Sequence, residues 1–493
     1  MTSFDDDSSL SSKGFQDLKK KSIAGMAALF VRQILVKVIF FVGNIILARI
    51  LAPEIFGIYA IVNFVVTFFS TFGDVGIGAA LIQKKGELNK EELSTTFWLQ
   101  QMLVWSVVAI AIAAAPLALK VYPTLPPVGV WLIRAMALSF LLSSLKTIPA
   151  ILMERSIDFK RIAWVDVTEN LAFQAVAISC AIMGLGAWSF ILAAIARALL
   201  GAVIIFALSP WRPSFHFRYE SVQGLVRFGL PYQGNQILNF IKDAVTPLFV
   251  GAYVGAAAVG YLNWARNLAF APMMISESFG RVAFPAFSRL QSDSEVLTRA
   301  VERSIRMMTL IMFPVTALLV ALAPEITHVV FTDKWMPGLT AFYFFCIAPG
   351  FIGVFLPLYS AIMSLGNSRI LLIFSIILIA IEWGLGLPFV MKYGFVGAAY
   401  TQPITISIFT LVYWLVLKKH GLLISIISNT YKCFFVSLLT MIVARFTQTT
   451  LEVNFIGICI SSTMAVIFYL ITTFLINKAS LYEFYDYFKL TFK

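Results

Sequence analysis

A membrane-embedded bundle of about fourteen α-helices is the fold class this sequence predicts, and three observations predict it. Hydrophobic residues make up 60% of the 493-residue chain and charged residues only 13%, whereas soluble domains hold roughly 45–50% apolar and about 25% charged residues. The apolar residues form solid runs of about twenty or more, the length a helix needs to cross ~30 Å of hydrocarbon, and show none of the alternation of a membrane barrel. Lysine and arginine gather in every second connection, as the positive-inside rule requires.

The elements follow in order. The first 22 residues, MTSFDDDSSLSSKGFQDLKKKS, are acidic and then basic, and hold no signal-peptide core. Their KGFQDLKKK stretch is expected to lie on the cytoplasmic surface against anionic lipid. Six spans at about 23–48, 54–82, 95–119, 127–151, 160–183 and 186–208 form a first lobe, 23–208. A cytoplasmic linker, 209–223, leads to a second lobe, 224–420, with spans at about 224–251, 256–286, 304–325, 338–365, 368–391 and 394–417. Two more spans, 427–446 and 453–477, fill 421–477 before a cytoplasmic tail, 478–493. The side holding the N-terminal lysines also carries Lys84, Lys85, Arg155, Lys160, Arg161, Arg212, Arg218 and Arg299, while the other holds only Lys120, Lys334, Lys392 and Arg445. Both termini are therefore expected in the cytoplasm.

Pro53 to Lys84 reads as one helix of about 46 Å, carrying Asp74 among Gly73, Gly76 and Gly78. These glycines lack the third glycine and the preceding strand of a dinucleotide loop, so they mark a bend or close packing. NKEE (89–92) and SDSE (292–295) have capping-box spacing, with Asn89 and Ser292 as the expected N-caps. The second opens a short helix whose Arg299, Arg303 and Arg306 share a face suited to lipid headgroups. MGLGAWSFI, with Gly184 and Gly186, is echoed by YGFVGAAYT, with Gly394 and Gly397; APEIFGIYA is echoed more loosely by GAAAVGYLN. Both pairs lie six spans apart, the mark of two parallel copies.

Composition also excludes functions. The net charge of +12 is dispersed among the connections, so it does not signal nucleic acid. Cys180, Cys346, Cys433 and Cys459 all sit in apolar runs without a CxxC, and His216, His328 and His420 are scattered, so no disulfide, metal or cofactor is expected.

Chemistry must then lie in charges within the spans, each of which costs about 2.5–3.5 kcal/mol at mid-membrane unless it meets a partner or water. Arg32 and Lys37 lie too deep for easy snorkelling, and Lys242 and Arg266 are similarly central. These four are the candidate cavity cations. Asp74, Asp243 and Glu382 are candidates for a gate or ion coupling. Arg134, Lys146, Arg197 and Glu277 complete the set of intramembrane charges, with Asp166 and Glu169 read as an interfacial cluster beside Lys160 and Arg161. Cations outnumber anions at depth, which favours an anionic solute, phosphate above all.

LARILAPEIFGIYAIV, DVGIGAALIQKK, ELSTTFWLQ, MERSIDFKRIAW and FPAFSRLQSD resemble the polysaccharide transporter family, which includes colanic-acid and teichuronic-acid exporters and O-antigen flippases; the likeness runs over about 20–420. The resemblance implies a MATE-like fold of the multidrug/oligosaccharidyl-lipid/polysaccharide superfamily, with two six-helix lobes in a V plus two C-terminal helices. It implies a flippase, not an enzyme, that moves undecaprenyl-diphosphate-linked oligosaccharide across the bacterial inner membrane by alternating access. H+ or Na+ as coupling ion, membrane lipids and polysaccharide polymerase or export proteins are the implied partners. In the more distant lipid II flippase, arginines on the first and eighth helices are central, and Arg32 and Arg266 hold comparable places. The alternative is a MATE-like drug antiporter coupled to cations, which would call for an acidic cavity. A membrane polymerase or ligase would need larger outward loops than this chain has.

Overall fold

The structure is a computed structural model. It describes residues 31–478 and 481–483, without 74–75, 77, 79–80, 83, 85–87, 157, 216, 219–232, 235, 238–239 and 242–243; of 274–275, 277–278, 281–282, 368–369 and 372 only the backbone is described. Among the described residues every regular element is helical. Twelve helical stretches are long and apolar enough to cross a membrane. Helices are the economical choice there, because the hydrocarbon offers backbone groups no other partner.

The chain forms two compact units, Met1–Ala244 and Val245–Lys493. The first holds α1 (Val31–Ile50), α2 (Pro53–Gly73), α3 (Lys90–Ala114), α4 (Gly129–Ser144), α5 (Thr147–Arg155), α6 (Phe159–Ile182) and α7 (Trp188–Leu208). The second holds α8 (Ala256–Ala269), α9 (Met273–Leu290), α10 (Ser294–Ile326), α11 (Leu339–Ser364), α12 (Ser368–Tyr393), α13 (Phe395–Lys419), α14 (Ile426–Thr450) and α15 (Phe455–Ile476). The division follows Ala244 and does not fall within 209–223. Hydrogen bonds explain this: Trp98 Nε1 donates to the Ser214 carbonyl at 2.9 Å, and the Arg218 N–H donates to Thr95 Oγ1 at 3.1 Å, tying that stretch to α3.

The fourteen spans expected are not all found among the described residues, and the difference lies at spans seven and eight. Much of 224–251 falls outside the described residues, with Lys242 and Asp243. Span eight is broken into α8 and α9, because Pro272 has no N–H and its ring clashes with a carbonyl four residues back. The break is closed by Ala271 N–H to Leu268 O at 3.3 Å. Span four is likewise two helices, α4 and α5. Pro149 stands just inside α5, and Lys146 N–H makes only a long 3.4 Å bond to Ser143 O. Helix α2 stops at Gly73 and Gly76 takes φ +69°, so no single helix runs on to Lys84; Asp74 lies outside the described residues.

Capping differs in detail. Glu92 accepts from the Asn89 N–H at 3.3 Å, as the capping box requires. At the second site the N-cap is Asp293, whose Oδ1 accepts from the N–H groups of Glu295 and Val296. It opens no short helix but the 33-residue α10. Arg299 there pairs with Glu295, and Arg306 binds Glu483 and Asn429. Those two arginines hold protein partners, which the lipid-headgroup reading does not provide for.

Packing places the charged helices. Leu47 of α1 and Leu51 just after it lie in one buried cluster with Phe173 and Ala177 of α6 and Phe190 and Ala193 of α7. This contact runs α1 alongside α6 in the same direction, which brings the start of α1 to the start of α6. In the second unit α10 packs on α11 and α14, and α11 on α13, around a core that includes Leu297, Ile305, Leu358, Ala361 and Leu417.

The repeated glycines have a structural counterpart. Gly184 and Gly186 take φ +78° and +54° between α6 and α7, and Gly394 takes φ +63° between α12 and α13. Each lets two antiparallel spans meet over a very short link. Gly397 allows a second economy, because a Cβ there would run into the Phe389 backbone, whereas Gly384 on the same hairpin has nothing within 4 Å of a Cβ. Gly397→Ala is expected to cost about 1–3 kcal/mol, while Gly384→Ala is neutral or gains up to about 1 kcal/mol. Thermal unfolding of the purified variants in one detergent checks the contrast, and equal melting temperatures would refute it.

Candidate functional site

The densest buried chemistry in the first unit is built on α6. Asp166 and Glu169 stand three residues apart and so share one face. Glu169 lies midway along the helix with its side chain only 1% exposed. Its Oε1 accepts from Lys146 Nζ at 2.5 Å, and its Oε2 from Arg197 Nε at 3.4 Å. Asp166 Oδ2 pairs with Arg32 Nε at 3.1 Å, both side chains about one-third exposed (33% and 32%). Asp166 also lies within electrostatic range of Glu169, Lys146 and Arg197. Four helical pieces, α1, α5, α6 and α7, thus converge on one charged cluster.

Local sequence explains each placement. Lys146 occupies the joint between α4 and α5 that Pro149 creates, where the backbone is already non-ideal. Neighbouring polar side chains hold that joint: Gln101 and Ser144 exchange hydrogen bonds at 3.1 and 3.2 Å, and Gln100 Nε2 donates to Thr147 Oγ1 at 3.2 Å. Gly201 stands one turn after Arg197 on α7, and a Cβ there would overlap the Glu169 carboxylate. The missing side chain makes the notch in which the carboxylate sits. Asn170 Nδ2 bonds the Asp166 carbonyl at 2.8 Å.

The charges do not balance. Arg32, Lys146 and Arg197 face Asp166 and Glu169, three cations against two carboxylates. Removing one partner of a buried pair typically costs about 3–5 kcal/mol, because the other charge stays desolvated. A surplus cation in a membrane bundle carries the same kind of cost unless water or an anion reaches it. The arrangement can therefore receive an anionic group.

The expected cavity cations are distributed as follows. Arg32 is in the cluster, paired with Asp166, and also lines a small cavity of about 220 Å³ with Lys160 and Trp164. Lys37, on the same helix, is half-buried. Arg266 belongs to the second unit, in the last turn of α8 beside the Pro272 break, with its guanidinium 5.6 Å from the Phe270 ring centroid. Glu382 is half-buried on α12. Asp74, Lys242 and Asp243 lie outside the described residues. The interfacial reading of Asp166 and Glu169 is corrected: Arg161 pairs with Asp158 at 3.3 Å, and the two carboxylates face inward to Arg32, Lys146 and Arg197. Lys146 and Arg197 are the residues sequence reasoning passed over. Their signal was present in Pro149 three residues after the lysine and in Gly201 four residues after the arginine.

The second unit offers a different chamber. A cavity of about 520 Å³ lies between α10, α11, α13 and α14, lined largely by Phe313, Val320, Ile347, Phe351, Phe434 and Met441. Val320, Tyr343 and Met441 are shared with a neighbouring space of about 600 Å³ that reaches Arg445. Arg445 Nη1 there donates to Glu325 Oε1 at 2.6 Å.

Spans broken by proline, with charges held at the breaks, are the anatomy of a polytopic membrane transporter. The fold agrees: the structure superposes on that of the lipid II flippase MurJ in an inward closed conformation with a TM-score of 0.74, covering 93% of this chain and 100% of that one at 16% identity. It superposes on an inward-facing multidrug resistance MATE family transporter of the MOP superfamily with a TM-score of 0.61, over 80% and 98% of the two chains at 14% identity.

The chain belongs to the polysaccharide biosynthesis protein family, whose model matches residues 46–339. It is 26% identical over 356 residues to the lipopolysaccharide biosynthesis protein WzxC of Escherichia coli K12, covering 70% of each chain. It is 29% identical over 299 residues to the succinoglycan biosynthesis transport protein ExoT of Rhizobium meliloti, covering 60% of this chain and 59% of that one.

If water reaches the cluster, a thiol placed there ionises and reacts, whereas one facing lipid does not. In a variant lacking Cys180, Cys346, Cys433 and Cys459, Arg197→Cys is expected to be modified by a charged, water-soluble thiosulfonate at least about tenfold faster than Val203→Cys, on an exposed part of the same helix. Equal inertness at both positions would show the cluster to be dry.

Proposed function

We propose that this protein flips an undecaprenyl-diphosphate-linked oligosaccharide from the cytoplasmic to the outer leaflet of the bacterial inner membrane, with both termini in the cytoplasm. Membership of the polysaccharide biosynthesis family supports the cargo class. The names of the relatives support it further, one a lipopolysaccharide biosynthesis protein and one a succinoglycan transport protein. The observation that carries the mechanism is the excess of cations over carboxylates in the charged cluster on the spans of the first unit.

In this reading a diphosphate crosses the hydrocarbon by exchanging water for arginine and lysine donors. A guanidinium suits this task, since its fork of N–H groups matches two phosphate oxygens at once. Arg32 is held ready by Asp166, the resident counter-ion that the phosphate displaces. Arg266, at a helix break in the second unit, is a second guanidinium of the same chemistry. The apolar chamber of the second unit, rich in phenylalanine, suits a hydrocarbon chain. A cationic drug would find the wrong sign of charge in the cluster, which disfavours the antiporter alternative.

Arg32→Ala and Arg266→Ala are each expected to lower glycan export at least about tenfold in cells whose own exporter is deleted, with lipid-linked repeat units accumulating inside. Arg32→Lys should keep part of the activity, since it retains the charge and loses the fork. The double variant Arg32→Ala with Asp166→Asn removes the stranded carboxylate and controls for misfolding. Wild-type export at matched protein levels from both single alanine variants would overturn the roles given to these arginines.

A further inference from the structure

We propose that Lys146 and Arg197, seated on Glu169, form an anion subsite distinct from Arg32 and Arg266, and that it takes a phosphate or carboxylate oxygen of the lipid-linked glycan. The proposal rests on the flippase reading and deepens it, giving a binding role to two cations that the reading counts only toward the surplus of charge. Glu169 is a positioning residue in this account, and Gly201 is what lets it fit.

The geometry fixes the carboxylate first. Each Glu169 oxygen holds one cation, and its side chain is 1% exposed. The Gly201 backbone closes the notch on one side, since a Cβ there would occupy the carboxylate's place. A carboxylate so confined cannot follow its partners outward, so it holds both cations from behind.

The cations keep their other faces open. The Lys146 side chain is 24% exposed and that of Arg197 is 45%. Lysine carries three N–H donors and arginine five. One of each points to Glu169, which leaves two on Lys146 and four on Arg197.

Charge then separates a binding site from a structural bridge. The two cations and one carboxylate sum to +1. A bridge that merely fastened α5 to α6 would need Lys146 alone, and adding Arg197 to the same carboxylate leaves an uncompensated charge in the bilayer. An incoming anion cancels it. The helix joint is the independent second sign. Lys146 lies where Pro149 interrupts span four, and interrupted spans in transporters mark the places where solutes bind.

Two sources can supply the anionic oxygen: the carrier's diphosphate, or an acidic sugar in the repeat. Purified protein in lipid nanodiscs is titrated with undecaprenyl diphosphate bearing a neutral disaccharide, and with the same lipid bearing a disaccharide that contains glucuronate. Arg197→Gln removes the surplus charge and leaves a neutral Lys146–Glu169 pair, so it is expected to fold. Loss of one charge-assisted contact predicts about tenfold or greater weakening. Weakening for both lipids assigns the site to phosphate, and weakening for the glucuronate lipid alone assigns it to the sugar. Arg197→Lys should restore most of the affinity, which a defect of folding would not explain. Gly201→Ala shifts the carboxylate without changing any charge, and is expected to weaken binding in the same direction at unchanged expression. Unchanged affinity of Arg197→Gln for both lipids overturns the subsite. Should the unaltered protein bind neither lipid, the flippase reading fails; titration with inorganic pyrophosphate and glucuronate then decides the subsite, which stands if Arg197→Gln weakens either and falls if neither binds.

Discussion

Within a bilayer a buried carboxylate must be met by positive charge from the protein itself, and Glu169 is the point where this constraint organises the first unit. Two cations reach it from different spans, Lys146 from a helix joint and Arg197 from the other helix of its own hairpin. The cost of desolvating three charges is of the order of several kcal/mol per ion, and pairing recovers it only when the geometry is held. The surroundings are shaped to hold it. Gly201 leaves room, the Gln100–Thr147 and Gln101–Ser144 bonds brace the joint, and the α1–α6–α7 core brings Arg32 to Asp166 one turn away.

The same constraint explains why interruptions and charges coincide. A proline inside a span frees backbone carbonyls that need new donors, so a break is tolerated where polar groups or water are close. Lys146 stands at the Pro149 break and Arg266 beside the Pro272 break, in two separate units. Each break also stops the helix from presenting a continuous apolar wall. Two of the intramembrane cations therefore stand where the regular structure yields.

The second unit meets the bilayer differently. Its large chamber is lined mostly by phenylalanine and aliphatic side chains, and the described ion pair of Arg445 with Glu325 lies toward the ends of α14 and α10. A surface of that kind offers a hydrocarbon chain contacts equal to those of lipid, and no desolvation penalty.

Composition and run length alone determined that this is a helical membrane protein, because about twenty apolar residues in sequence have no other soluble or barrel solution. Twelve of the spans, the family likeness and the hairpin glycines were legible for the same reason: each depends on near neighbours in the chain. The partners of Asp166 and Glu169 were not. Beside Lys160 and Arg161 in sequence, they read as surface charges, yet the helix turns them toward residues that lie 23 to 134 positions away in the chain. The breaks were hidden in another way, since Pro149 and Pro272 leave hydropathy unchanged while redirecting the backbone. Tertiary structure alone decided which charges meet, because an ion pair forms by distance in space, and the distance between two spans is set by packing that no local pattern records.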